Sequence, residues 1–292
     1  MDNIFTNSKT PKIFKTEKVT GTHPSEHDVF HRHGLLENFD QYSLEKTRVS
    51  LVGAGGLGSE IGIALARKGV GEINIYDNDT VDITNLARQH FFKDDLYKSK
   101  AYCLAKNLAH LATGTSLIRG IPLSIQEAIE ASSDFESDIV IVGVDNNATR
   151  FFCSEFFRDR MVIFTAVSPE ADSGYVFVQE PGEACFGCMF GDQFDRPARR
   201  CTGSTIDINK VMGGIVSYAL DTLIMKRPRD WNYKRVHLHG PFEDIAKKIF
   251  RSHDCGFCNR WSLLNNSTGP IILENKDSED MKNEGQNKEN KN

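Results

Sequence analysis

Residues 48–65 read RVSLVGAGGLGSEIGIAL, residues 72–79 read EINIYDND and residues 81–100 read VDITNLARQHFFKDDLYKSK. The apolar run Val49 to Val52 ends in Gly53-x-Gly55-x-x-Gly58, with Gly56 as a further glycine inside it, and Ile61, Ile63, Ala64 and Leu65 follow. A strand, a tight turn and a helix N-terminus let backbone N–H groups approach a nucleotide closely, with no side chain in the way. Asp77 stands 19 residues beyond Gly58, at the end of the strand-like run Ile73 to Tyr76, where such folds set an acid against a ribose hydroxyl. A glycine triplet alone is a weak signal, and true ones usually bind NAD or FAD.

The residues after Asp77 depart from that pattern. Asn85, Arg88 and Gln89 form a polar cluster, and Lys100 opens an amphipathic helix with Ala101, Leu104, Ala105 and Leu108 on its apolar side. Cations beside a nucleotide fold suit the β- and γ-phosphates of ATP, where leaving-group charge has to be stabilised. The same residues also fit a solvated charged loop. Further on, the strand-like DIVIVGV (138–144) ends in Asp145, followed by Asn146, Asn147, Ala148, Thr149 and Arg150. A carboxylate just beyond a parallel strand lies at the edge where open α/β sheets bind ligands, and it can hold Mg²⁺ against phosphate oxygens. Asp145 or Asn146 equally suits the N-cap of the helix containing Phe151 and Phe152.

In order, GAGGLG, then DxDxVxxxNLxRQ from Asp77 to Gln89, then Lys100, then DNxxTR from Asp145 to Arg150 resemble the ThiF, MoeB and HesA adenylyltransferases, relatives of the ubiquitin-activating enzymes. The resemblance covers roughly residues 30 to 260. It implies a Rossmann-like, mostly parallel sheet and the adenylation of a C-terminal carboxylate on a small ubiquitin-like or sulfur-carrier protein. It also implies that Asp77 holds the ribose, that Asn85, Arg88 and Lys100 contact the nucleotide and its phosphates, and that Asp145 serves Mg²⁺. Gly53, Gly55, Gly56, Gly58, Gln89 and Asn146 complete the expected ATP-binding set. Arg32, in FHRHGLLENFDQ, matches an arginine that reaches the phosphates of the neighbouring subunit, which makes a homodimer the expected working unit. One departure stands out. The stretch before Lys100 reads LYKSK where relatives often have Gly-x-Pro-Lys, and it is one residue short, so Lys98 competes with Lys100.

Cys185-Phe-Gly-Cys188 and Cys255-Gly-Phe-Cys258 are two CxxC pairs, and four thiolates so spaced suit a tetrahedral structural zinc. The 66 residues between the pairs exceed a zinc ribbon's spacing; matching family members carry a comparable insert. Two redox dithiols or reduced core cysteines are the alternative. Four protein ligands leave no open position, so such a zinc is a staple distant from the chemistry. Cys103 and Cys153 read as core. Cys201 follows Arg199 and Arg200, whose cations favour its thiolate, and several relatives carry a cysteine there that links covalently to the activated partner, so Cys201 is a candidate acyl acceptor. The pairs His31 and His33, and His237 and His239, together with His253 beside the second CxxC, invite a metal reading that a complete Cys₄ set makes unnecessary.

A chain of 292 residues with 39% hydrophobic content supports one main α/β domain. The net charge of −5 gives no reason to expect nucleic acid as a partner, and no apolar run approaches a membrane span. Seven cysteines and no secretory signal at Met1 to Thr20 point to the cytoplasm. The expected organisation is a flexible arm over 1–28 and an adenylation domain over 29–265, with its nucleotide-binding half at about 48–166 and a smaller antiparallel, zinc-stapled half at about 167–265. A disordered tail over 273–292 completes it. Tyr175 to Gln179 and Arg235 to His239 read as strands of the second half. Between them a helical stripe from Val211 to Ile224 contains Gly213 and Gly214, expected to pack on a neighbour or dimer face. No rhodanese-like domain is visible after position 260, which favours a minimal activator with a separately encoded partner. Two other functions use the same features: an NAD- or FAD-dependent oxidoreductase on the glycine turn, or a non-catalytic subunit that only binds and orients a partner.

Overall fold

The computed structural model describes residues 10–16, 29–132, 135–191, 203–225, 227–240 and 243–259. Nine strands among them form one sheet: β1 Lys12–Lys15, β2 Arg48–Val52, β3 Glu72–Tyr76, β4 Leu117–Ile121, β5 Ile139–Val142, β6 Met161–Val167, β7 Ser173–Gln179, β8 Tyr233–His237 and β9 Ile245–Lys247. The strand order is β1-β4-β3-β2-β5-β6-β7-β8-β9. From β4 to β6 the five strands run parallel. From β6 to β9 each neighbour is antiparallel, so the predicted second half extends the same sheet and builds no layer of its own.

The helices are α1 His31–Gly34, α2 Gln41–Lys46, α3 Gly56–Lys68, α4 Lys100–Leu111, α5 Ile125–Ala131, α6 Asn147–Phe156, α7 Phe186–Phe190 and α8 Ile206–Ile224. Side chains alternate across a strand, so each parallel strand feeds two cores. Val49, Leu51, Ile73, Ile75 and Ile141 join Ile61 and Leu65 of α3, Leu104 and Leu108 of α4, and Met212, Val216 and Leu220 of α8. Val52, Tyr76, Val140, Val142 and Phe164 join Ile125 of α5, Phe151 and Cys153 of α6, and Phe186 and Phe190 of α7. Both faces are covered, which is why these strands read as unbroken apolar runs.

One feature differs from expectation and another is narrowed. Lys12–Lys15, within the stretch read as a flexible arm, pairs antiparallel with β4 as an edge strand. Its partner lies about a hundred residues away, out of reach of local periodicity. Gly213 packs inside the chain: a Cβ there would stand 3.0 Å from Glu60 Cβ on α3, so this glycine lets α3 and α8 touch and does not mark a dimer face. Gly214, by contrast, meets nothing within 4 Å. The contact between α3 and α8 is pinned at its far end by Lys68 Nζ, 2.7 Å from the buried Asp221 Oδ2, with Arg227 on the same carboxylate at 3.4 Å. The tail over 273–292 lies outside the described residues.

Candidate nucleotide site and cysteine cluster

From β2 the chain passes to β3 and β4 on one side and later returns as β5 on β2's other side. Val52 pairs with Val142, so the glycine turn after β2 and Asp145 after β5 emerge side by side at the carboxyl end of the sheet. Such a switch point is where an open α/β sheet leaves a crevice. Here the crevice is a cleft of about 1400 Å³ lined by Gly53, Gly55, Gly56, Asp77, Asn85, Arg88, Gln89, Lys100, Asp145 and Asn146, among others. All of these belong to the predicted nucleotide set.

Each glycine of the triplet has its own task. Gly53 sits at φ +98°, the left-handed region that glycine enters without penalty. A Cβ on Gly58 would lie 2.0 Å from Gly53 O, so the third glycine lets the helix press onto its own turn. At Gly55 a Cβ would meet nothing within 4 Å; this is the open side, where a ligand can approach backbone. Asp77 is oriented by two backbone donors, Ala54 N–H at 2.7 Å and Asp79 N–H at 2.9 Å. Burial pushes its carboxyl above the usual range, opposed by the Ala54 N–H and by Lys100. Asn85 is held by a capping box in which its Oδ1 accepts from Asp82 N–H at 3.0 Å. Gln89 is buried and its Oε1 accepts nothing among the described residues, which leaves an acceptor for a ligand hydroxyl or amine.

Lys100 lines the cleft and Lys98 does not. Ser99 caps α4, and Lys100 Nζ lies 2.8 Å from Asp79 Oδ2. One residue before Lys98 and three before Lys100 the chain tightens: Tyr97, where the family's Gly-x-Pro-Lys ending at Lys100 would place glycine, adopts φ +64° and is 74% exposed. At the other wall, Asn146 takes the cap, accepting from Thr149 N–H at 2.8 Å. That separates the two readings of the pair. Asp145 is exposed and has no partner among the described residues, so its carboxylate is available to a cation. Arg150 is buried beside it, donating to Val144 O and Asn147 Oδ1.

Arg32 does not line the cleft. It lies on α1, beside Phe30, whose ring would meet a Cβ on Gly69 at 2.4 Å, and Gln41 Nε2 bonds Lys68 O nearby at 2.9 Å. This is the C-terminal end of α3, a helix of 13 residues and about 20 Å, with the glycine turn at the other end. Cys201 falls outside the described residues. Asn209 of α8, with Tyr175, Tyr233 and Arg235 of the antiparallel strands, lines the cleft unannounced by any motif.

The second cluster brings together Cys185, Cys188, Cys255 and Cys258, whose sulfurs lie within 4.8 Å of one another. The Sγ–Sγ distances are 3.8 Å for 185–188 and 185–255, and 3.5 Å for 185–258 and 188–258. A tetrahedron with Zn–S bonds of about 2.3 Å has edges of about 3.8 Å, so the spacing fits a zinc ion. Hydrogen bonds from Cys185 and the backbone pull the Cys188 thiol down to about 4, and the same bond and burial push Cys185 up. Arg158 Nη2 reaches Cys258 Sγ at 2.8 Å, further support for a thiolate. None of the four cysteines lines the cleft, yet Met189 and Phe190, in the helix between them and the ligand side, do. Cys103 and Cys153 are buried, with thiols raised by burial, Cys103 to about 12. Among the described residues no histidine joins a metal-type cluster; His33 bonds Gln41 and His239 bonds Asp172.

The ThiF family pattern matches residues 30–256, which is most of the chain. The chain belongs to the ThiF family. Among curated relatives, it is 31% identical over 179 residues to the adenylyltransferase and sulfurtransferase of Caenorhabditis briggsae, covering 59% of this chain and 44% of that protein. A probable molybdopterin-synthase adenylyltransferase of Porphyra purpurea is 36% identical over 143 residues, covering 47% of this chain and 37% of the other. The ubiquitin-like modifier-activating enzyme 5 of Oryza sativa subsp. japonica is 28% identical over 194 residues, 61% and 45% respectively. The match spans less than half the length of each of these relatives. Among solved structures, E. coli MccB with AMPCPP and MccA superposes with a TM-score of 0.64 at 22% identity, covering 80% of this chain and 76% of that one. At that identity the likeness establishes the ThiF-type α/β fold. Among the described residues no helix is long and apolar enough to cross a membrane.

Proposed function

We propose that this ThiF-family chain adenylates the C-terminal carboxylate of a small ubiquitin-like or sulfur-carrier protein with ATP. The observation that carries the proposal is the division of labour between Asn146 and Asp145: the cap is filled, and a carboxylate with no partner among the described residues shares one cleft with Lys100, Arg88 and Asp77. Relatives bearing the names of adenylyltransferases and modifier-activating enzymes support the reaction class.

In this reading Asp77 orients the ribose hydroxyls, and the N–H groups at the start of α3 receive phosphate. The partner's carboxylate attacks the α-phosphorus; a new P–O bond forms, the α–β bridging bond breaks and pyrophosphate departs. Charge moves onto the leaving group, and Lys100 and Arg88 are the cations placed to meet it. Lys100 first exchanges Asp79 for phosphate. Mg²⁺, held by Asp145, would neutralise phosphate charge when bound. The cleft volume exceeds the upper range of about 1000 Å³ for a single small ligand, leaving room for a partner's tail beside the nucleotide.

Zn²⁺ on Cys185, Cys188, Cys255 and Cys258 is the structural metal in this proposal, and its influence reaches the cleft through Met189 and Phe190. Arg32, at the far end of α3, serves the cleft of a second subunit, which makes the active unit a homodimer. Acyl transfer to Cys201 would follow adenylation, and the cytoplasm is the compartment. Exchange of labelled pyrophosphate into ATP, run with candidate carrier proteins ending in glycine, tests the proposal. Exchange that depends on the carrier and is lost in Asp145→Ala is the expected result; undiminished exchange in that variant removes the assignment, and tight NADH binding with none of ATP replaces it by the oxidoreductase.

A further inference from the structure

Asn209 lies in the second turn of α8 with a side chain that the ion pairs, caps and motifs of the cleft leave unused. It is 1% exposed and lines the cleft. Its Oδ1 accepts from Ser204 Oγ at 3.5 Å, and its Nδ2 donates to nothing among the described residues. In this orientation the amide oxygen faces Ser204 and the N–H₂ faces α3. Nδ2 faces Gly56: a Cβ built on that glycine would stand 2.4 Å from Nδ2 and 3.1 Å from Asn209 Cγ.

Gly56 is the first residue of α3, and Gly55 caps that helix with no side chain. The N–H groups of the first turn therefore have no partner within the helix, and the positive end of its dipole lies there. An orphaned, buried amide N–H₂ is destabilising unless a ligand accepts from it. Backbone donors, a helix N-terminus and a side-chain donor with no acceptor thus converge on one spot, and the ligand group that satisfies all three is an anionic oxygen.

We infer that Asn209 is a phosphate-binding residue, donating through Nδ2 to the nucleotide phosphate seated on the glycine turn. The inference rests on the nucleotide reading of the cleft. It also explains Gly56, whose backbone is not in the left-handed region and which the triplet pattern does not require: the second glycine of the Gly55-Gly56 pair makes room for the Asn209 amide. Residues 56 and 209 are therefore coupled, although α3 and α8 are far apart in sequence.

Titration calorimetry on the full-length, metal-loaded chain, with Mg·ATP and with adenosine, tests this. Asn209→Ala is expected to weaken Mg·ATP about ten- to hundredfold, the range of a hydrogen bond to a charged acceptor, and to leave adenosine within twofold. Gly56→Ala is expected to weaken Mg·ATP to a similar degree in the native background and by less than twofold in the Asn209→Ala background, because the obstructing amide is gone. Asn209→Ser, which keeps a short donor, provides the same comparison if Asn209→Ala melts below working temperature. An unchanged Mg·ATP affinity in Asn209→Ala, equal losses for adenosine and Mg·ATP, or additive effects of the two substitutions would each overturn the assignment. Native protein that takes up no Mg·ATP brings down the nucleotide reading and this inference together, whereas native uptake with unaffected variants removes Asn209 alone.

Discussion

The parallel strands β2 to β6 and the antiparallel strands β6 to β9 share one sheet but organise their ends differently. On the parallel side the backbone does the organising: a left-handed glycine, a helix with an open N-terminus and an aspartate held by two N–H groups build one wall of the cleft from residues close in sequence. On the antiparallel side, two short CxxC segments some seventy residues apart are drawn together by their sulfurs, with Phe257 packed against Gly187 between them. The first arrangement is built from backbone geometry; the second is built from four sulfurs at a spacing that suits a metal ion. Regions of one sheet can therefore differ in what holds them, and perturbations should separate them.

Metal removal is the most severe of these. Structural zinc in small sites contributes about 10–16 kcal/mol of binding free energy at neutral pH. A strong chelator, or Cys258→Ser, is expected to release one zinc per chain and lower the melting temperature by more than ten degrees, measured by calorimetry with metal analysis. A Cys258→Ser chain that melts with the native protein would mean that the antiparallel side holds itself together as the parallel side does.

Asp221→Asn comes next. It leaves Lys68 partly buried against a neutral group, and breaking such a pair typically costs 3–5 kcal/mol. Urea unfolding should show the loss, and a change below 1 kcal/mol would show that packing around Gly213 alone secures α3 to α8. On the cleft side, Asp145→Asn should reduce pyrophosphate exchange by about 10²–10³-fold. Its stability should stay within about 0.5 kcal/mol, since the side chain is exposed and unpartnered. Equal damage to both quantities would make Asp145 part of the scaffold.

Tyr97→Gly should stabilise the chain by about 1 kcal/mol, because a non-glycine residue in the left-handed region carries a steric penalty of that order. A neutral or destabilising result in urea unfolding would place the value of Tyr97 in its ring. The smallest effect belongs to the exposed pair of His239 and Asp172 at the antiparallel end. His239 is raised above its ordinary value and Asp172 is held down at about 2 by hydrogen bonds from Ser168 and His239. The histidine's contribution is present below pH 6.5 and fades as pH rises through its raised value; the aspartate's is present above pH 3.8 and fades as pH falls toward 2. Melting curves of His239→Gln should differ from native only between those limits, and by less as salt is added.

What could be read from sequence follows the same division. The placement of the glycine turn, Asp77, Asn85 and Asp145 around one cleft was legible because each position is local: a strand end, a turn, an acid one strand later. The four cysteines were legible because few chemistries use two CxxC pairs. Lys100 against Lys98 was not, since that choice turns on the left-handed Tyr97 and on which lysine meets Asp79. Asn209 carried no signal, because its meaning lies in a contact with Gly56 across two helices. Gly213 looked like an interface glycine because sequence cannot tell a neighbouring helix of the same chain from one of another. Strand β1 was missed for the matching reason that its partner is remote.

The two ends of the sheet bear on how the molecule behaves in company. A long parallel sheet with bare margins invites other chains to add strands. Among the described residues the margins are β1, whose four residues are KIFK with a lysine at each end, and β9, three exposed residues ending in Lys247. Short, cationic borders offer few free N–H and C=O groups and repel a copy of themselves. A sheet this wide is thereby kept from growing at its borders, and β1 acts as a guard for β4 rather than as part of the nucleotide machinery.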